Sequence, residues 1–277
     1  PIIKNTNLSI SNNIYQTINP EDVKESLNKL QKLNPDILII KLNSPGGTVT
    51  ATASLENVLN KFKKNNDTKI YFFTEDLLAS GGYWIATVGD RIYAQYGSII
   101  GSIGVTGPSW YYYNKPSSIS SGVFGKSIET ENGIEIFSQN AGNYKDLYNP
   151  FRKPSKKELD HLQSIVEDIY EDFINKVSRS RKIETDTIKN EIGGLIYSSK
   201  QAKNKFLIDD IINFDELIDR IVKEEEFVDY KIIKKQNKSN FFETFILNYF
   251  NFNTVLSCEK FNNNFVSLMP VFLKNCI

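Results

Sequence analysis

An α/β fold built on a mostly parallel sheet is the class this sequence predicts, and three observations predict it. Short apolar runs ("DILIIKLN", "KIYFFT", "RIYA") alternate with stretches of helical periodicity. The tight turns "SPGG" and "LASGG" come directly after strand-like runs. Across 277 residues, 40% apolar and 12% aromatic side chains are enough for a real core, which excludes wholesale disorder. Strands and helices alternating at this spacing favour parallel pairing, and functional loops in such sheets gather at the carboxyl ends of the strands.

The elements follow in order. Val23, Leu27 and Leu30 give residues 22–33 helical spacing. "DILIIKLN" is a strand buried on both faces. After "SPGG", Ala51, Leu55, Val58, Leu59 and Phe62 mark one face of a helix. "KIYFFT" is a second buried strand, "GGYWIATVG" a short helix and "RIYA" a third strand. Residues 106–143 are rich in Gly, Ser, Asn and aromatics and read as loop with irregular strand. At Ser155 a helix opens: Pro154 precedes it, and Glu158 completes a capping box. Leu159, Leu162, Ile165, Val166, Ile169, Phe173 and Val177 share its apolar face. A small tail of "TIKNEI", "GLIYSS", "KQAKNK" and "FDELIDRIV" ends near 226. Residues 1–226 therefore form one domain, and 227–277, rich in Lys, Asn and Phe, form an appendage.

Charge and cysteines narrow the function classes. Thirty-three basic and thirty-three acidic side chains cancel, so nothing global favours nucleic acid. Cys258 and Cys276 make neither a disulfide framework nor a metal site, and no metal or other cofactor is called for. No apolar run reaches the roughly 18 residues of a spanning helix. The chain opens at Pro1 and its one methionine is Met269, which places the natural start upstream. An anchor there would make the protein membrane-associated; the compartment is otherwise open.

Ser80 stands between a strand and Gly81-Gly82. A serine hydroxyl becomes a nucleophile only when a base takes its proton, and acyl transfer needs N–H donors aimed at the developing oxyanion. Gly81 at a helix start supplies one N–H and Gly46 of "SPGG" a second, with no Cβ to obstruct a substrate backbone. Taken singly, the same motifs are a helix N-cap and a strand-ending turn. The usual base is histidine, but the sole one, His161, lies on a helix face beside Leu159 and Leu162. Lysine can serve if neutral. Its reference pKa is about 10.4, and bringing it near 7 to 8 costs about 4 kcal/mol, within reach of desolvation. Lys145 in "GNYKDLYNPF", with Tyr144, Leu147 and Tyr148 around it, is a candidate, although most lysines are solvated faces.

Five segments in order, "IIKLNSPGGTVTA", "LLASGGYWIATVGDRIYA", "IIGSIGVTG", "NYKDLYNPFRKPSKKELDHLQ" and "LIYSSKQAKNKFLIDDI", resemble the signal peptide peptidase A family of serine–lysine peptidases. The resemblance covers residues 30–222, roughly two thirds of the chain. It implies a ClpP/crotonase-like fold, Ser80 as nucleophile and Lys145 as general base. It also implies Ser102 of "GSIG" as the serine that orients the lysine, and Gly46 and Gly81 as oxyanion donors. In single-domain members, serine and lysine come from adjacent subunits of a ring, so a homo-oligomer is expected. Departures are the "WYYYN" insertion at 110–114, Phe206 in a place usually held by glycine, and an unrecognisable first strand in residues 1–15. "WYYYN" reads as packing or as a binder of apolar substrate side chains. In the tail, Phe241, Phe242, Phe245, Ile246, Tyr249 and Phe250 form an apolar face downstream of Lys234, Lys235 and Lys238, fit for docking on protein or touching a membrane surface.

The function expected is an ATP-independent endopeptidase for short apolar peptides such as remnant signal peptides, needing no nucleotide. Two alternatives share the fold: a crotonase-like acyl-CoA enzyme, which would not need Ser80 or Lys145, and a non-catalytic ring-forming scaffold.

Overall fold

A computed structural model of the chain describes residues 2–3, 17–113, 120–122, 125–127 and 139–233, with backbone only at 2, 120–122 and 125–127. The chain divides into two compact units, Pro1–Pro108 with Lys156–Tyr230, and Ser109–Ser155 with Lys231–Ile277. The apolar face expected at Phe241–Phe250 lies outside the described residues.

The first unit begins with β1 (Ile2–Ile3), β2 (Thr17–Ile18), α1 (Pro20–Gln31), β3 (Ile37–Lys41), α2 (Val49–Asn66), β4 (Lys69–Thr74) and β5 (Leu77–Ala79). It continues through α3 (Gly81–Ala86), β6 (Arg91–Ala94) and β7 (Ile99–Gly101). In the second unit β8 (Ser120–Gly122) and β9 (Gly125–Ser127) pair antiparallel. The chain then re-enters the first unit with α4 (Lys156–Arg181), α5 (Thr185–Thr187) with a π-helical turn at Ile188–Ile192, β10 (Ile196–Ser198), α6 (Ser199–Asn204), β11 (Asp210–Ile211) and α7 (Phe214–Glu224).

Parallel pairing dominates, as the alternation predicts. A four-stranded sheet runs β11-β6-β4-β3, all parallel. A three-stranded sheet runs β10-β7-β5, in which β5 and β7 are parallel and β10 is antiparallel. β4 shows the two-residue period of a strand with both faces covered. Its Ile70 and Phe72 enter the main core with Leu55, Leu59 and Phe62 of α2, while Tyr71 and Phe73 meet Tyr93, Leu217 and Ile221 on the other face. β3 departs from the expected full burial: it is the edge strand of this sheet, and Ile37–Ile40 are only half-buried.

Helix boundaries follow local chemistry. Asn19 caps α1 by accepting from the Glu21 N–H, with Pro20 as the first helical residue, where a missing N–H does no harm. Thr48 caps α2 by accepting from the Ala51 N–H. α4 starts directly after Ser155 and buries Phe173, Ile174 and Val177, but Leu159 and Ile165 of the same face stay 47% and 43% exposed. The expected apolar stripe is therefore covered only in its second half within one chain.

The sequence shows no strand in residues 1–15, yet Ile2–Ile3 is one. It pairs with Thr17–Ile18, and Ile3 is fully buried. Two residues carry no period to read; only the long-range pairing defines this strand.

Candidate active site

Ser80 sits where β5 ends and α3 begins, with φ 51° and ψ −127°. That is glycine territory, and an L-residue held there stores about 1–3 kcal/mol of strain. The surroundings hold it firmly. The Ser80 N–H donates to Gly101 C=O (2.9 Å), and the Trp84 N–H donates to Ser80 C=O (2.9 Å). The Trp84 ring stacks on Phe173 of α4 at 5.0 Å, and its Nε1 donates to Glu56 of α2 at 2.9 Å. Tyr83, fully buried, donates to Leu207 C=O at 2.7 Å, and burial pushes its phenol pKa upward. α3 is thus pinned on three sides, and Ser80 at its head remains partly exposed.

The "SPGG" turn folds beside this serine. A side-chain carbon on Gly46 would come within 2.8 Å of Ser80 Cβ and 3.1 Å of Ser80 Oγ, so only glycine fits there. On Gly81 such a carbon would meet Thr52 Oγ1 at 2.6 Å and Gly47 N at 3.3 Å; on Gly82 it would meet Ser44 C=O at 2.9 Å. The turn is tied down through Ser44, a buried residue that sequence reasoning passed over. Its N–H donates to Leu77 C=O (2.6 Å), and its C=O accepts from Ala79 N–H (3.0 Å). On the other side, Ile3 donates to Gly46 C=O (3.0 Å) and accepts from Thr48 N–H (3.1 Å).

The expectation of a Gly46 donor meets a competitor here. The Gly46 N–H already donates to Ser44 Oγ at 3.2 Å, and Gly46 is buried. Gly47 is the exposed glycine of the pair. The parallel bridge to Ile3 uses the Gly46 C=O and the Thr48 N–H, which leaves the Gly47 N–H facing away from Ile3 and beside Gly81.

Ser102 follows β7 just as Ser80 follows β5. The register Ala79–Gly101 sets the two serines side by side at the carboxyl ends of neighbouring parallel strands. Ser102 also has a positive φ, 53°, and its N–H donates to Leu195 C=O at 2.7 Å. The structure therefore brings together Ser80, Ser102, Gly46 and Gly81, and adds Ser44, Gly47 and Thr52.

Lys145 belongs to the second unit, in the turn Asn143–Tyr148, and its side chain is exposed in the single chain. The expected "WYYYN" insertion braces this turn. Trp110 Nε1 donates to Asn149 C=O at 3.0 Å, its ring leans on Tyr148 at 5.4 Å, and the Tyr113 N–H donates to Pro150 C=O at 2.8 Å. His161 is exposed on α4. Among the described residues there is no group of three or more His, Cys, Asp or Glu able to hold a metal, and no helix long and apolar enough to cross a membrane.

Fold and site together define a class: an α/β chain with a strained serine ringed by glycine turns at the carboxyl edge of parallel strands. Residues 62–227 match the family described as Peptidase family S49. The chain is 30% identical over 220 residues to a putative signal peptide peptidase SppA of Enterococcus faecium, covering 78% of this chain and 60% of that protein. It is 29% identical over 238 residues to a putative protease of Methanocaldococcus jannaschii, covering 83% and 71% respectively. Among solved structures, a ClpP1 variant from Listeria monocytogenes aligns with a TM-score of 0.44 at 15% identity, covering 72% of this chain and 86% of that one. This chain belongs to peptidase family S49.

Proposed function

We propose that the chain is a serine endopeptidase with a serine–lysine dyad, acting without nucleotide on short apolar peptides such as remnant signal peptides. The observation that carries this reading is Ser80 itself: a non-glycine residue held at φ 51° beside two open backbone amides, Gly81 and Gly47. In the reaction, Ser80 Oγ adds to the scissile carbonyl carbon while the Lys145 amine takes the hydroxyl proton. The carbonyl oxygen, now negative, is held by the Gly81 and Gly47 N–H groups, with Gly46 shaping the turn. Lys145 returns the proton to the departing amine. Water then cleaves the acyl-enzyme by the same steps. Ser102, in register with Ser80, orients the lysine amine.

Lys145 is exposed in the single chain. A neighbouring subunit supplies the missing cover, and the uncovered apolar half of α4, with Leu159 and Ile165, supports assembly. The name of the Enterococcus relative, a putative signal peptide peptidase, supports the substrate class.

A fluorophosphonate probe tests the reading. The assembled protein is expected to be labelled on Ser80, and Lys145→Ala to abolish the labelling. Peptidase kcat/KM should rise with pH to a plateau, with a midpoint well below the lysine reference of about 10.4. Labelling that persists unchanged in Lys145→Ala rules out the dyad.

A further inference from the structure

The three strands β10-β7-β5 end in a row beside Ser80. At the carboxyl end of β5 the Ser80 N–H donates to Gly101 C=O (2.9 Å), and at the carboxyl end of β7 the Ser102 N–H donates to Leu195 C=O (2.7 Å). The pairings of Gly101 with Ala79 and with Ile196 carry the same line across the sheet. The "SPGG" turn lies on the other flank of β5, where Ser44 bridges to Leu78. The order across the site is therefore "SPGG", Ser80, Ser102, Leu195. Neighbouring strands stand about 5 Å apart, which puts the Leu195 backbone roughly 10 Å from Ser80.

Leu195 is firmly held and yet left open. Besides the bond from Ser102, its own N–H donates to Ile192 C=O at 3.4 Å. The loop before it is stapled twice. The Gly193 N–H donates to Ile188 C=O (2.7 Å) across the π-helical turn, and the hydroxyl of buried Tyr197 donates to Ile192 C=O (2.8 Å). Turns of this kind recur at functional sites. Gly193 and Gly194 bring no side chain to cover the leucine, which is 64% exposed, and Ile196 beside it is 51% exposed. A single exposed leucine is ordinary. Its fixed place in line with both serines is what carries information.

We propose that Leu195 is a specificity-determining residue: it meets the side chain of the substrate residue that follows the cleaved bond, and selects an apolar one. The proposal rests on the serine peptidase reading of Ser80. On that reading the carbonyl oxygen turns toward the Gly81 and Gly47 amides, on the "SPGG" flank. The departing amine faces the base that returns its proton, and Ser102 orients that base. The residue carrying this amine therefore runs over the end of β7 toward Leu195. One apolar contact of this kind discriminates between substrates by about tenfold.

The test uses two series of internally quenched peptides with the assembled wild type, Leu195→Ala and Leu195→Glu. One series places leucine, alanine or lysine after the cleaved bond; the other varies the residue before it. Wild type should prefer leucine over lysine after the bond by about tenfold in kcat/KM. Leu195→Ala should cut that preference about threefold, and Leu195→Glu should reverse it in favour of lysine. The ratios within the second series should stay as in wild type. An unmoved preference in the first series, an equal change in both, or a change confined to the second overturns the proposal. Loss of assembly in Leu195→Glu, read by sedimentation, also overturns it and makes the leucine a subunit contact. Absence of Ser80 labelling in the wild type is a separate failure, that of the serine peptidase reading itself.

Discussion

Around Ser80 the holding is done by backbone and buried packing: amides of Ser44, Ala79 and Ser80, close-fitting glycines, and the Trp84–Phe173 stack. Around Lys145 the holding is done by side chains at a partly exposed surface: Arg152 on Asp146, Trp110 on Tyr148, Tyr113 on Phe151. The difference teaches two ways of holding a side chain in place. The Ser80 side is fixed by folding alone, because strain at one residue must be over-determined by its neighbours. The Lys145 turn is held by contacts among its own neighbours and leaves the lysine side chain exposed.

Four changes would break or sharpen that contrast. The largest effect is expected for Phe72→Ala, at the centre of the main core, which should lower unfolding free energy by about 3–5 kcal/mol in a denaturant titration. A loss below about 1 kcal/mol would mean the serine-bearing unit is not one packed body. Gly81→Ala comes next: the added carbon meets Thr52 Oγ1, and peptidase activity should drop about a hundredfold. Adding Thr52→Ala should return part of it, and an unaffected single variant would remove the close fit from the argument.

A smaller effect concerns acid stability of the same unit. Burial raises the Asp210 carboxyl pKa, but hydrogen bonds from Lys203, Arg220 and the Ile211 N–H outweigh it and hold the group at about 2. A carboxylate depressed in the folded state adds stability above its unfolded value of 3.8, and that stability fades as pH falls through 2. Screened by solvent, the contribution is about 1 kcal/mol. Asp210→Asn should therefore lower the thermal midpoint at pH 7 and match wild type near pH 2; a constant gap across that range would reject the linkage. The last change has the opposite sign. Thr52 Oγ1 is buried without a hydrogen-bond partner, so Thr52→Val should raise stability by up to about 1 kcal/mol, read by denaturant unfolding.

Much of the serine side was legible in the sequence. Apolar runs of three or four residues announced β3, β4 and β6, and small residues at strand ends announced the turns. The strand Ile2–Ile3 was not legible, since its two residues are defined by partners at 17–18 and 47 rather than by any pattern of their own. Nor was the edge position of β3, which is set by strand order and not by composition. "SPGG" announced a turn but not that Ser44 Oγ accepts the Gly46 N–H, which only the folded turn reveals. "WYYYN" read as packing or substrate contact, and its role as a brace emerges only when Trp110 meets Asn149 and Arg152 in space. Phe206 stands where the resemblance called for glycine, and its φ of 60° shows the conformation that a glycine would take there without strain.

The unusual dihedral at residue 80 has an evolutionary corollary. Glycine would adopt it freely, so Ser80→Gly would relax the backbone at the head of α3. On the proposed reading of Ser80, a descendant carrying that glycine would be inactive yet easier to fold than its ancestor.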